Sequence, residues 1–175
     1  MQALGTLLDR GVLIGLGTDT APPDMLMNLQ IGVAMARSDA SAAAAGPAEF
    51  LRSATLHGAK ALGREDLGRL QPGSAADIVV WNLDHLDVKP VHDPIQALFL
   101  MPPGRRARDV FVAGRQVVRD SRVLDVDEEA LGADLQTIFT KLRAAYPERH
   151  PDGAHWSEMF PSTFPSRAFT TGQQL

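Results

Sequence analysis

The stretch that decides the fold is Val12-Leu13-Ile14-Gly15-Leu16-Gly17-Thr18-Asp19-Thr20-Ala21-Pro22-Pro23-Asp24. It starts as a short, continuous apolar run, which is typical of a strand buried on both faces in a parallel sheet. A polar loop follows, a proline pair stiffens it, and Asp24 is placed to cap the next helix. Asp19 comes just after the predicted strand, where α/β folds build their active sites. We therefore take Asp19 as the first candidate functional residue, against the alternative of a loop aspartate that bonds only to nearby backbone N–H groups.

Composition and charge narrow the class of protein. The chain has 175 residues, of which 45% are hydrophobic, and this is enough for one domain with a real core. A net charge of -4 gives no reason to expect a nucleic-acid partner, and the absence of cysteine excludes disulfides and thiolate metal sites. No apolar run approaches the ~20 residues that span a bilayer, and the N-terminus lacks the order of a signal peptide. We expect a cytoplasmic protein without a membrane partner.

Apolar periodicity predicts helices over 2–10, from Met25 to Arg37, over 47–62, and after Asp125 or Asp127. Strands are predicted over 67–74 (ending in a Pro72-Gly73 turn), 77–83 and 95–100, with a hairpin of 108–113 and 115–119; from Pro147 the tail is predicted to be irregular. Leu4, Leu7 and Leu8 are predicted to share one face of the first helix. The side chains predicted to face inward are Leu26, Leu29, Val33 and Ala36; Phe50, Leu51, Ala54, Gly58, Ala61 and Leu62; and Leu131, Leu135, Ile138, Phe139 and Leu142.

These elements fall into three parts. Residues 1–65 have an α/β pattern, residues 66–125 form a small antiparallel β unit, and residues 126–175 are a terminal helix with an irregular tail. A single buried parallel strand cannot close a sheet, because it needs neighbours on both sides. A closed α/β barrel takes ~250 residues. The α/β part is therefore expected to be a piece of something larger.

Three motifs follow one another along the chain: Gly15-Leu-Gly-Thr-Asp-Thr20, Ser53-Ala-Thr-Leu-His-Gly-Ala-Lys-Ala-Leu-Gly63 and Leu67-Gly-Arg-Leu-Gln-Pro-Gly-Ser-Ala-Ala-Asp-Ile-Val-Val80. The segment Asp109-Val-Phe-Val-Ala-Gly-Arg-Gln-Val-Val118 comes after them. In this order they resemble the metal-dependent amidohydrolase superfamily, in particular its cytosine deaminase and atrazine chlorohydrolase branch. The resemblance covers about the first 125 residues.

The resemblance implies a fold and a role for Asp19. Val12–Leu16 would be the eighth strand of a TIM-like (β/α)8 barrel, residues 25–62 its closing helices, and residues 67–119 the C-terminal part of a small β-sandwich. The aspartate after the eighth strand binds the catalytic divalent metal, zinc or iron, in such enzymes and shuttles the proton of the attacking water. In this sequence that position is Asp19, while Thr18 and Thr20 would at most orient it.

The histidines depart from the family pattern. Other metal ligands in the family come from a His-x-His pair after the first strand and from histidines after the fifth and sixth. This chain has five separate histidines and no such pair, namely His57, His85, His92, His150 and His155. A catalytic zinc site needs about three protein ligands, and here only Asp19 is assigned. We therefore expect the C-terminal part of a hydrolase acting on C–N or C–Cl bonds of small heterocycles, catalytically silent without the missing barrel half.

Other charged residues are given structural roles. His57 is expected to be a helix residue, Asp93 to cap or turn the backbone before Pro94, and Asp77 to bond to the turn preceding it. The residues Arg105, Arg106 and Arg108 are predicted to form a solvated turn, because no glycine-rich phosphate loop accompanies them.

A function of another class stays open. The chain could be a non-catalytic remnant or interaction module that complements a partner chain carrying the other barrel half. An uncovered barrel edge would also favour a homo-oligomer. A coding region upstream with a His-x-His motif would favour the enzyme.

Overall fold

The computed structural model describes residues 6–7, 10–19, 23–37, 46–100 and 106–164. Clustering divides the chain into two compact units, Met1–Leu124 and Asp125–Leu175. Of the predicted first helix, Thr6 and Leu7 are helical, while Leu4 and Leu8 lie outside the described residues. Gly11 has a φ of 71°, the left-handed conformation that ends helices.

In the first unit, helices cover more of the described residues than strands do. Its helices are α1 (Met25–Arg37), α2 (Pro47–Arg52), a π-helical segment (Ser53–His57), α3 (Gly58–Ala61), a short 3-10 turn (Leu86–Val88) and α4 (Pro94–Leu100). Its strands are β1 (Ile78–Val80), β2 (Asp109–Val112), β3 (Arg115–Arg119) and β4 (Arg122–Val123). The second unit contains α5 (Glu128–Ala144), α6 (Tyr146–Arg149) and α7 (Trp156–Met159). None of the described helices is long and apolar enough to cross a bilayer.

Helix α1 has the predicted bounds and is the centre of the core. All four side chains predicted to face inward, Leu26, Leu29, Val33 and Ala36, are buried. The last three cluster with Phe50 of α2 and Phe99 of α4. The Asp24 carboxylate accepts the Met27 N–H at 3.0 Å, which confirms the predicted cap.

The predicted helix over 47–62 forms, with a π-helical segment in its middle. Phe50 is buried as predicted, and Gly63 ends the helix at a φ of 67°. Ala61 and Leu62 are exposed, so their predicted inward position is wrong. A π turn holds more residues than an α turn, so side chains beyond it leave the 3.6-residue pattern used for the prediction.

Residues 12–16, predicted to be a strand, have no regular secondary structure and are not buried on both faces. Val12 and Leu13 are 44% and 39% exposed. Among the described residues this segment belongs to no sheet, since the four strands pair only with one another in the order β1-β2-β3-β4. A buried parallel strand needs a neighbour on each side, and the described part of the chain supplies none.

Two further strand predictions are wrong and one is too long. Residues 67–74 form turns, with Gly73 at a φ of 86° in the predicted Pro72-Gly73 turn. Residues 95–100 are helical, because the Asp93 carboxylate accepts the N–H of Ile95 at 2.8 Å and Pro94 begins α4. The predicted strand 77–83 is reduced to β1, which is exposed on one side at Val79.

The hairpin prediction is confirmed. Strands β2 and β3 pair antiparallel, and Ala113 and Gly114 turn the chain at φ values of 49° and 81°. Strand β1 pairs antiparallel with β2, with Ile78 opposite Phe111. The result is a small antiparallel sheet beside helices.

In the second unit the predicted cap is confirmed and the predicted packing is not. The Asp127 carboxylate accepts N–H groups of Glu129 and Ala130 at 3.1 and 3.0 Å. The five α5 side chains predicted to face inward, Leu131, Leu135, Ile138, Phe139 and Leu142, are 44 to 57% exposed. Helix α5 has the amphipathic pattern. Among the described residues of this unit, however, the elements that follow it are the short helices α6 and α7, and its apolar side chains stay about half exposed.

The tail is less irregular than predicted, because it contains α6 and α7. Trp156 of α7 lies edge-on to Phe139 of α5, with ring centroids 5.6 Å apart, and edge-on to Tyr146 at 5.4 Å. Phe160 stacks on Trp156 at 4.5 Å. Aromatic contacts therefore fold this end of the chain onto the end of α5.

Candidate functional site

Asp19 ends the segment of residues 12–19, which has no regular secondary structure, and it is exposed. Its φ is 36°, a left-handed conformation that few residues other than glycine adopt. Aspartate is one of the residues that tolerate it. Such a conformation persists only where neighbouring contacts hold the backbone.

The first such contact is with the π-helical segment. The Leu16 N–H donates to the Ser53 carbonyl oxygen at 3.1 Å. Beside it, a Cβ on Gly15 would lie 3.5 Å from the Cα of Gly58, so the two backbones are in close contact there. The segment of residues 12–19 is thereby attached to the part of the helix that departs from α geometry.

A second contact joins the loop to α1. The Asn28 side-chain amide donates from Nδ2 to the Thr18 carbonyl oxygen at 3.3 Å. The Asn28 backbone N–H in turn donates to the Asp24 carbonyl oxygen at 3.1 Å. The peptide group just before Asp19 is therefore held by the first turn of the helix that follows it.

The third motif also reaches the π-helical segment. Gly68, at a φ of 72°, has the Thr55 carbonyl oxygen 2.7 Å from where its Cβ would stand. The hydroxyl of Thr55 donates to the Leu51 carbonyl oxygen at 2.7 Å. All three motifs that carry the family resemblance thus meet at residues 53–58. The segment that carries Asp19 is anchored at the two ends of this range, Ser53 and Gly58.

The described residues do not by themselves fit a catalytic metal site. They include all five histidines, and they contain no group of three or more His, Cys, Asp or Glu side chains that could hold a metal. A zinc centre that catalyses hydrolysis uses about three protein ligands. The residues described here therefore contribute at most part of such a site.

The histidines have other surroundings. His57 lies at the end of the π-helical segment, with Nδ1 3.8 Å from the Glu49 carboxylate, too far for a hydrogen bond. His155 Nδ1 accepts the Ser157 N–H at 3.3 Å and caps α7. The prediction that His57 is a helix residue is confirmed.

Of the other charged residues, Asp93 caps the backbone before Pro94 as predicted, but the element that follows is helix α4 and not the predicted strand. Asp77 bonds to a different turn than predicted. The Asp77 carboxylate accepts the Ala113 N–H at 2.7 Å, which ties β1 to the hairpin turn. Arg108 donates to Asp109 at 2.7 Å, and this bond lowers the pKa of the Asp109 carboxyl. Arg105 and Thr20 lie outside the described residues.

Sequence reasoning missed the contributions of Asn28 and Ser53. Asn28 lies outside the apolar stripe of α1 and belongs to none of the three motifs. A signal was available, because side chains in the first turn of a helix point back towards its N-terminus and so towards the preceding loop. No sequence signal marked the Ser53 carbonyl, because a π turn leaves no residue pattern of its own.

Comparison with known families gives a match over most of the chain. The Amidohydrolase family profile matches residues 1–117. A 5-methylthioadenosine/S-adenosylhomocysteine deaminase from Teredinibacter turnerae is 36% identical over 144 residues, covering 79% of this chain and 33% of the relative. An S-triazine hydrolase from Gordonia rubripertincta is 34% identical over 126 residues, covering 67% of this chain and 26% of the relative.

Solved structures resemble this chain as well. An adenosine deaminase from Xanthomonas campestris with bound zinc matches with a TM-score of 0.74 and 30% identity, over 82% of this chain and 34% of that one. A zinc complex of an atrazine chlorohydrolase from Arthrobacter aurescens matches with a TM-score of 0.68 and 33% identity, over 77% of this chain and 31% of that one. The chain spans about a third of the length of these relatives.

Proposed function

Because this chain belongs to the Amidohydrolase family, we propose that it is the C-terminal part of a metal-dependent hydrolase acting on C–N or C–Cl bonds of small heterocycles. In this proposal residues 12–16 are the last strand of a TIM-like barrel and α1 to α3 are its closing helices. Strands β1 to β4 are then the C-terminal part of the small β-sandwich. The observation that carries the proposal is that three family motifs meet at residues 53–58 and anchor the segment that ends at Asp19.

Asp19 is the proposed functional carboxylate and metal ligand. In the proposed barrel it follows the last strand, the position where α/β barrels carry catalytic side chains. A carboxylate there can provide a ligand oxygen, and it can accept a proton and return it to a leaving group. The remaining ligands of the divalent metal have to come from residues beyond those described here. Zinc is the first choice because the two solved relatives named above contain it.

The relatives indicate the class of substrate. Their names specify methylthioadenosine and S-adenosylhomocysteine, adenosine, triazine and atrazine. All of these contain a small nitrogen heterocycle. We propose a substrate of this class, with ammonia or a halide as the leaving group. A cytoplasmic location remains a prediction.

The exposed apolar side chains of Val12 and Leu13 favour a second possibility. A segment with such side chains suits a chain that complements a barrel half carried by a partner. It also suits a homo-oligomer. In either case the chain would contribute structure, with or without the Asp19 carboxylate taking part in turnover.

A chimera tests the proposal. The matching C-terminal third of the Teredinibacter turnerae deaminase is replaced by this chain, and ammonia release from 5-methylthioadenosine is measured in the presence of zinc. We expect turnover. Asp19→Asn should lower the rate by about 10² to 10⁴, the usual contribution of a positioned acid–base group.

The matched control is Asp134→Asn on the exposed side of α5, which should leave the rate unchanged. A folded, zinc-containing chimera with no turnover would contradict the proposed function. So would a chimera whose rate is unaffected by Asp19→Asn. Turnover lost equally in both variants would point to a general effect on folding and would remove the support for Asp19.

A further inference from the structure

We infer that Asn28 is a positioning residue, whose side-chain amide holds the backbone of Asp19 in its left-handed conformation. The inference rests on the proposed function, because it gives Asn28 a purpose only if the Asp19 carboxylate has to point in one direction. It concerns backbone geometry, which can be measured without metal or turnover.

The position of Asn28 suits this task. It is the fourth residue of α1, and its half-buried side chain points back towards the loop that precedes the helix. Its Nδ2 reaches the carbonyl oxygen of Thr18, ten positions earlier, at 3.3 Å. The helix itself is held in place, because Asp24 caps it and Leu26 and Leu29 are buried in the core.

The bond acts on Asp19 through the peptide plane. The Thr18 carbonyl and the Asp19 nitrogen belong to one planar group, so holding the carbonyl fixes the orientation of that whole plane. The next rotation along the chain is the φ of Asp19, which is 36°. This conformation costs a residue other than glycine free energy, although aspartate tolerates it better than most, so contacts that hold the adjoining peptide group favour it.

A second anchor lies on the other side of Gly17. The Leu16 N–H is bonded to the Ser53 carbonyl, so the chain is held two residues before Thr18 as well. Gly17 has nothing within 4 Å of where its Cβ would be, and it provides no side-chain anchor between the two bonds. The Asn28 amide is therefore the contact that holds the peptide group adjoining Asp19.

Nuclear magnetic resonance of the full 175-residue chain tests the inference. Left-handed backbone brings the amide proton close to the Hα of the same residue, so Asp19 should show a strong intraresidue cross-peak. Asn28→Ala removes the donor, and Asn28→Asp replaces it by a carboxylate that only accepts when ionised. We expect the strong Asp19 cross-peak to be lost in both variants.

The matched control is Gln96→Ala, an exposed amide on α4, which should leave the Asp19 cross-peak as it is. An unchanged Asp19 cross-peak in folded Asn28→Ala and Asn28→Asp would overturn the inference. If the variants do not fold, the spectrum of the wild-type chain still tests the inference. Cross-peaks between the Asn28 side-chain amide protons and the backbone protons of Thr18 and Asp19 are expected, and their absence would overturn the inference.

The outcome is independent of the chimera experiment. A chimera without turnover leaves the Asp19 cross-peak where it was, and would refute the proposed function alone. A chimera with Asp19-dependent turnover, together with an Asp19 backbone indifferent to Asn28, would refute the positioning role alone.

Discussion

Arg64 and Asp66 form a two-bond ion pair in the turn that leads into the third motif. The Arg64 Nε and terminal nitrogen donate to the two Asp66 carboxylate oxygens at 2.7 and 2.6 Å. The hydrogen bond from Arg64 lowers the pKa of the Asp66 carboxyl. The Asp66 carbonyl oxygen accepts the Ala75 N–H at 2.9 Å, and this hydrogen bond closes the turn. The ion pair therefore lies where the turn closes.

A lowered pKa in the folded state gives a definite sign to the pH dependence. The stabilisation is present above the unfolded-state pKa of aspartate, about 3.9, and is lost as the pH falls through the lower folded-state pKa. We expect Arg64→Gln to raise the Asp66 midpoint in a carboxyl-carbon titration. It should also reduce the loss of stability on acidification below about pH 4. Arg122→Gln, an exposed arginine on β4, is the control and should leave the midpoint unchanged. An Asp66 midpoint that ignores Arg64→Gln would show that the pair does not persist in solution.

At the level of single residues, the candidate site could be predicted only in part. Asp19 could be proposed because an acidic residue after a buried-looking apolar run is visible in the sequence. Its left-handed backbone could not be predicted, because it depends on how α1 folds back against the loop. The helix position of Asn28 indicates only that its side chain points towards that loop, and not which carbonyl it binds. Asp77 shows the same limit, since its partner Ala113 is 36 positions away.

At the level of elements, the crossing of α1 and α2 depends on a glycine. A Cβ on Gly32 would lie 2.4 Å from a ring carbon of Phe50, which is buried in the core. Gly32→Ala should gain about 0.5–1 kcal/mol in helix propensity but lose about 1–3 kcal/mol to overpacking. We expect a net loss of stability in urea unfolding.

The matched control is Gly132→Ala in α5, where nothing lies within 4 Å of the added Cβ. That substitution should stabilise the chain by about 0.5–1 kcal/mol, because it adds propensity without a clash. Equal effects of the two substitutions would contradict the close packing of α1 on α2.

The contact between the third motif and the π-helical segment gives a second pair of glycines. Gly68 and Gly73 both have positive φ, at 72° and 86°. A Cβ on Gly68 would be 2.7 Å from the Thr55 carbonyl oxygen, while nothing lies within 4 Å of a Cβ on Gly73. Both Ala variants bear the strain of left-handed backbone, about 1–2 kcal/mol. Gly68→Ala should therefore be clearly the less stable in urea unfolding, and equal stability would show that the third motif does not rest on residue 55.

Element prediction succeeded where a long periodic pattern had both ends marked, and failed for short apolar runs. Helix α1 has 13 residues with a capping aspartate, and its bounds were predicted. Helix α4 has seven, and its apolar run is as compatible with a strand as with a helix. The Asp93-Pro94 pair before it was the helix signal that would have decided the case.

For the whole molecule, exposed apolar side chains lead us to expect self-association. They occur in residues 12–13 and on α5, where Leu135 and Ile138 are 57% and 51% exposed. The double variant Leu135→Glu and Ile138→Glu should shift the mass measured by light scattering towards that of a monomer. It should also bind less of a hydrophobic dye. Gln136→Glu, on another face of the same helix, is the control. A wild-type chain that is monomeric and binds no dye would contradict this expectation.

Native mass spectrometry of the purified 175-residue chain with added zinc is the most direct test of the central claim. That claim is that this part of the family fold contributes a single metal-binding carboxylate, Asp19, to a site completed elsewhere. We expect the wild-type chain to retain no zinc in a one-to-one ratio. Asp19→Asn should show the same absence of bound zinc. Zinc held one to one by the wild-type chain and lost in Asp19→Asn would contradict the claim, because it would mean that this chain completes the site from its own residues.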